Sequence, residues 1–182
     1  MTIYLIRHGK TDANERHLYC GNTDLPLSEI GRTELSQLHY RIKNVRFITS
    51  GMKRTNETLQ ILFGNVPFEV EPQFREINFG VFEMHSYKEL KDRTDYQIWL
   101  TGDNHANIPP DGESGNQMTQ RVLDAFYEIH EDTCIITHGG VIAAIMAQLF
   151  PEEGKNRYQW QPKPGQGYQI SIAGKAEWKK LP

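Results

Sequence analysis

Four short runs rich in β-branched and aromatic residues recur along the chain: Thr2 to Ile6, Val45 to Thr49, Phe68 to Val70 and Thr133 to Thr137. Between them lie segments whose apolar residues repeat at helical spacing. This alternation restricts the fold more than any other feature. Strand–helix–strand crossovers are right-handed and lay helices on the faces of a sheet. The pattern predicts an α/β protein, a three-layer α/β/α sandwich with a mostly parallel central sheet. Ser28 is placed to cap a helix with Leu35, Leu38 and Ile42 on its apolar side. Leu59, Leu62 and Phe63 predict a second helix after Ser50. Ser114 with Gln117 forms a capping-box signature, and Met118, Val122, Ala125, Phe126 and Ile129 continue it at helical spacing. A last helix is expected from about Val141 to Phe150, stopped by Pro151. Tyr168 to Ile172 and Glu177 to Lys180 flank Gly174 as a terminal hairpin.

With 182 residues the chain suits one domain, 1–182. The stretch at about 80–115 is less regular and holds Pro109-Pro110 and Gly112 near its end. It reads as an insertion over the active site, too short to bury a core of its own. Twenty Lys and Arg against 23 Asp and Glu leave a formal charge of −3, without a basic block, which argues against a nucleic-acid partner. No apolar run approaches the roughly 20 residues of a membrane span. The start lacks a basic region followed by a cleavage site, so no signal peptide is expected. Two cysteines cannot build a disulfide framework, which favours the cytoplasm. The oligomeric state does not follow from the sequence.

In open α/β sheets, sites gather beyond the carboxyl ends of the strands. Three of the expected strands end in polar sequences: Arg7-His8-Gly9, then Ser50 followed by Arg54, then Thr137-His138-Gly139-Gly140. Brought to one edge, these supply two arginines and two histidines. Arginine offers a planar fork that matches phosphate oxygens. A neutral imidazole can attack through one ring nitrogen while a hydrogen bond fixes the other. Gly139 and Gly140 permit close backbone approach at a helix start. A carboxyl group is still needed to protonate a leaving oxygen, and Glu76 in Arg75-Glu76-Ile77-Asn78-Phe79-Gly80 is the best placed. Taken singly, each residue has a plainer reading: a packed histidine, a surface arginine, an ion-paired glutamate, a strand-to-helix turn. The set outweighs its members.

The signature runs from Ile3 through Arg7-His8-Gly9-Lys10-Thr11-Asp12-Ala13-Asn14 and on to Gly21, Asp24, Pro26-Leu27-Ser28 and Gly31-Arg32. It resumes at Ser50 to Arg54 with Thr58, at Arg75 to Gly80, at Gly112-Glu113-Ser114 and at His138-Gly139-Gly140. In that order these blocks resemble the histidine phosphatase superfamily, the phosphoglycerate mutase-like family. The resemblance implies that His8 is a nucleophile forming a phosphohistidine. Arg7, Arg54 and His138 would bind the phosphoryl oxygens, and Asn14 would add a hydrogen bond. Glu76 would be general acid, then general base. Cys20 and Gly21, in the polar loop after the signature, and Gly139 would lie beside the substrate. No cofactor or metal is implied; His17 and Cys20 have a zinc-like spacing without a second ligand pair.

Two positions depart from the family pattern. Lys10 stands where Glu is common, and it either attracts an anionic substrate or points into solvent. Glu83 is followed by Met84, where the family often has a Glu-Gly pair. The expected function is a metal-independent phosphomonoesterase acting on a small phosphorylated metabolite. Within the family the blocks most resemble the α-ribazole-5'-phosphate phosphatase group. The alternatives are a cofactor-dependent phosphoglycerate mutase and a non-catalytic binding module. The module's usual mark would be loss of His8, Glu76 or His138, and all three are present. Substrate choice is assigned to Phe82 to Asp111 and to the tail from Arg157 to Tyr168, where Gln159-Trp160-Gln161 and Tyr168 are candidates for a base or sugar. Trp99, Trp160 and Trp178 are read as core or rim aromatics. His39, His85, His105 and His130 are read as surface or packing residues.

Overall fold

Six strands form one sheet in the computed structural model, which describes residues 1–103 and 105–182. They are β1 (Thr2–Arg7), β2 (Arg46–Thr49), β3 (Glu69–Val70), β4 (Thr133–Thr137), β5 (Gly167–Ala173) and β6 (Lys175–Leu181). Their order is β3-β2-β4-β1-β5-β6. The first four in that order pair in parallel, β5 runs antiparallel to β1, and β6 runs antiparallel to β5. β4 is buried at every residue, as expected of an unbroken apolar strand covered on both faces. At the edge, β6 exposes Lys175, Glu177 and Lys179, charges that discourage pairing with another chain.

Strand alternation divides the core between two faces. Ile3, Leu5, Ile48 and Ile135 pack with α6 (Gly115–Tyr127) and α7 (Gly139–Leu149). Ile6, Phe47, Cys134 and Ile136 pack with Leu59 of α3 (Lys53–Phe63) on the other face. α7 is buried from Val141 to Met146, because it runs between β1, α6 and α8 (Arg157–Trp160). Helix–sheet–helix layering follows. It matches the expected sandwich.

Differences from the sequence reading have local causes. α2 (Glu29–Ser36) begins at the Ser28 cap but ends before Leu38 and Ile42. Thr33 and Ser36 turn their hydroxyls onto the helix carbonyls of Glu29 and Thr33, and Tyr40 donates to the Gly165 carbonyl, drawing the chain across the sheet. Ile42 then enters the α3-side core from a loop. α7 starts at Gly139 rather than Val141, because His138 already has extended N-cap geometry. The irregular stretch carries α4 (Tyr87–Leu90) and α5 (Thr94–Leu100). Contrary to expectation it does bury a small cluster of its own: Phe82, Leu90, Tyr96 and Trp99. Tyr19, from outside the stretch, completes that cluster and meets Tyr96 hydroxyl to hydroxyl at 2.6 Å. Among the described residues no helix is long and apolar enough to cross a membrane.

Candidate active site

Parallel pairing of β1 with β4, and of β4 with β2, brings three strand ends side by side. Arg7 lies opposite Thr137, and Thr49 opposite Ile136. The next residues are therefore His8, His138 and Ser50. The His8 N–H donates to the Thr137 carbonyl at 2.9 Å, extending the ladder. The two imidazole centroids lie 5.1 Å apart. His8 is 6% exposed and His138 fully buried. Burial, then Arg54 and Arg7, holds His8 well below the usual imidazole range. Burial also lowers His138 well below that range, with Arg54, His8 and Arg7 adding to it. Both rings are therefore neutral near pH 7.

The hydrogen bonds assign the tautomers. His8 Nδ1–H donates to the Gly9 carbonyl at 2.6 Å, leaving a lone pair on Nε2. On His138, Nδ1 accepts from Arg54 Nε at 3.3 Å and Nε2–H donates to Ser50 Oγ at 2.8 Å.

Arg54, in the first turn of α3, is 1% exposed. Its Nη1 donates to the Thr23 carbonyl at 2.8 Å and its Nη2 to the Gly21 carbonyl at 2.7 Å. With Nε on His138, two of the five guanidinium N–H groups remain for a ligand. Arg7 donates Nη1 to the Pro162 carbonyl at 2.8 Å, while its Nε is buried without a partner. Neither arginine forms an ion pair among the described residues. Burial lowers the pKa of both. Two desolvated cations and an orphaned donor describe a cradle for an anion.

What aims Arg54 is Glu83. Its carboxylate accepts from the N–H groups of Gly21 at 3.0 Å, Asn22 at 2.9 Å, Thr23 at 3.2 Å and Phe79 at 3.1 Å, and from the Thr23 hydroxyl at 2.7 Å. The loop it clamps presents the two carbonyls that hold Arg54. Only the family's Glu-Gly pattern hinted at this residue. Met84 adopts φ +62°, the left-handed conformation that glycine would take freely, and donates its N–H to the Tyr19 carbonyl at 2.7 Å.

Gly21 is thereby explained differently from expectation. Its N–H and carbonyl are both engaged, and a Cβ there would collide with the Ile77 carbonyl. It positions Arg54 and is not part of the cavity wall. Gly139 likewise packs against the Arg7 guanidinium. Glu76 is held by N–H donors of Gly140 and Ile77, both at 3.0 Å, and a side chain at position 140 would run into its carboxylate. Asn14, in the short helix α1 (Asp12–Glu15), accepts from the Thr11 N–H and hydroxyl through Oδ1, both at 3.0 Å. Its Nδ2 stays available beside the cavity. Lys10 pairs with Glu34 at 2.6 Å on the surface. Cys20 borders the cavity, and burial raises its thiol pKa. Among the described residues no three His, Cys, Asp or Glu side chains gather as metal ligands.

A cavity of about 350 Å³ opens beside Arg7, Glu76 and Gly140. Its walls include Tyr19, Phe79, Trp99 and Met118, together with His105, Arg157 and Tyr158. Residues of the irregular stretch and of the tail both line it. Within the tail, Gln161 lines it, whereas Trp160 and Tyr168 are 1% and 3% exposed and stack with Trp178 in the core. Gln159 caps α8. His105, read as a surface or packing residue, lies in the cavity wall.

Comparison with known proteins agrees with this geometry. A family model, the histidine phosphatase superfamily (branch 1), matches residues 3–179. The adenosylcobalamin/alpha-ribazole phosphatase of Escherichia coli K12 is 30% identical over 162 residues, covering 82% of this chain and 79% of that protein. A Yersinia pestis protein named probable phosphoglycerate mutase GpmB is 26% identical, covering 100% and 96%. A crystal structure of an Escherichia coli K-12 protein proposed to be an alpha-ribazole-5'-P phosphatase superposes with a TM-score of 0.86 at 26% identity, covering 100% and 95%. This chain is an enzyme, a phosphatase. It belongs to the histidine phosphatase superfamily.

Proposed function

We propose that the chain is a phosphomonoesterase that works without a metal, through a phosphohistidine at His8, on a small metabolite of the α-ribazole 5'-phosphate type. One observation carries this: a buried His8, its Nδ1 tied to Gly9, beside two largely desolvated arginines that form no ion pair among the described residues. The Nε2 lone pair attacks phosphorus, and the bond to the leaving oxygen breaks. Glu76 gives that oxygen its proton. Water then enters, Glu76 takes its proton, the new P–O bond forms and the P–N bond breaks. Phosphate leaves and Nε2 regains its lone pair. Arg7 and Arg54 hold the equatorial oxygens, and their fixed charge does the work a metal would do elsewhere, while the neutral His138, engaged at both ring nitrogens, orients Arg54.

The walls Tyr19, Phe79, Trp99 and Met118 suit an aromatic leaving group better than a compact three-carbon acid. We place the enzyme in the cytoplasm on its cysteine usage alone. The test is phosphate release, in excess chelator, from α-ribazole 5'-phosphate and from 3-phosphoglycerate, with His8→Ala as the blank. Release from the ribazole ester at least about tenfold faster in kcat/KM is expected. Transfer of phosphate between positions of phosphoglycerate, without release, would make the protein a mutase. Activity lost in chelator would overturn the metal-free mechanism.

A further inference from the structure

The cavity is lined by a further cation that the phosphoryl chemistry does not use. Arg157, at the first residue of α8, donates Nη2 to Thr119 Oγ1 at 2.6 Å and Nη1 to His105 Nδ1 at 3.3 Å. Accepting at Nδ1 puts the His105 proton on Nε2, a further donor. Burial lowers the pKa of both groups, and the Arg157 charge lowers that of His105 further. Asp103 contributes to the field at Arg157 but makes no ion pair with it. Two of the five guanidinium N–H groups are used, leaving three. Gly115 keeps the space open, since a Cβ there would press on His105 Nδ1 and Arg157 Nη1. Arg157, His105 and Gly115 all line the same cavity as Arg7 and Glu76, and Phe79, Trp99 and Met118 line it with them.

We infer that Arg157 and His105 form a distal subsite that reads a hydrogen-bond acceptor, a ring nitrogen or an oxygen, carried by the leaving group beyond its apolar body. The inference rests on the proposed phosphatase reading of the cavity. Arg157 is a specificity residue; it leaves the reacting atoms alone. A half-buried guanidinium with three free N–H groups gains most from an anionic acceptor, so a carboxylate is the sharpest probe.

The experiment compares phenyl phosphate with its 4-carboxy and 4-carboxymethyl derivatives, two reaches of one charge, in the native enzyme and in Arg157→Met, which keeps the apolar stem. Intrinsic leaving-group differences cancel in the ratio of ratios. For the better-fitting derivative, the carboxylate preference in kcat/KM should fall by about ten- to a hundredfold in Arg157→Met, with phenyl phosphate hydrolysed at an unchanged rate. Equal preference in both proteins would overturn the subsite while leaving the phosphatase standing. Calorimetric binding of phenylphosphonate and the two carboxylated phosphonates gives the same comparison without turnover. A preference there that Arg157→Met abolishes would uphold the subsite even if none of the esters were hydrolysed. Loss of phenyl phosphate turnover in Arg157→Met with a native melting temperature would move Arg157 into the catalytic machinery and refute a role confined to specificity.

Discussion

Behind the cavity wall at Arg7 and Glu76, His8, Arg54 and His138 are at most 6% exposed, and each hydrogen-bonds to fixed backbone or to one another. Around Arg157, by contrast, Tyr158 is 72% exposed, and the wall is built from short helices and loops, with a separate small cluster beneath part of it. One end is fixed by strand register; the other is assembled from segments that make few contacts with the sheet. The difference teaches where each property resides. Reaction chemistry belongs to the sheet edge, and substrate range belongs to the pieces laid over it.

If the two ends are separable, removing the nucleophile should cost the same whatever the leaving group. His8→Ala should lower turnover by at least about 10⁴-fold on alkyl and aryl phosphates alike, as read by phosphate release. A loss that depends strongly on the ester would break the division. Glu76 sits on the seam, at Gly140 and the cavity mouth. Glu76→Gln should therefore slow alkyl phosphates by about 10²–10⁴-fold and spare aryl phosphates, whose leaving groups need little protonation. Equal losses on both would remove Glu76 from the acid role.

Glu83 sharpens the comparison, because it lies in the irregular stretch yet acts on the phosphate end. Glu83→Gln should lower kcat/KM by about 10–100-fold on every ester. In an Arg54→Ala background it should cost little more, since both changes disable the same cation. Additive losses in that cycle would show that Glu83 works by another route. The smallest effect concerns stability. The unfolded imidazole value is near 6.5, and both His8 and His138 titrate well below it in the fold. As pH falls, the unfolded chain takes up these protons first. Stability from this source is complete above about pH 6.5 and declines below it, with a limiting slope of about 2.7 kcal/mol per pH unit for the pair. Urea unfolding should show that slope halved in His8→Asn; an unchanged slope would mean that His8 is charged in the fold.

The same division governs what was legible in the sequence. Arg7-His8-Gly9 and His138-Gly139-Gly140 announce themselves, because a strand end fixes where its next residues go. The capping box at Ser114 and Gln117 and the hairpin about Gly174 were readable for the same local reason. Glu83 was not, because its role depends on a loop some 60 residues earlier in the chain. Arg157 and His105 come from segments without periodicity, which nothing local brings together. Trp160 and Tyr168 had the right residue types for a sugar or base but belong to the core, where aromatic rings are used equally. Leu38 and Ile42 prolonged an apolar spacing past the point where side-chain hydroxyls end the helix.

The unpaired charges of Arg7 and Arg54 carry one more consequence. Among the described residues neither guanidinium is salt-bridged to a carboxylate, so the inorganic phosphate released by each turnover is itself a good occupant of the cradle. Product inhibition follows from the same geometry as catalysis. By mass action, free phosphate also stabilises the folded chain, so that the concentration of its own product sets both how fast the enzyme runs and how long it lasts.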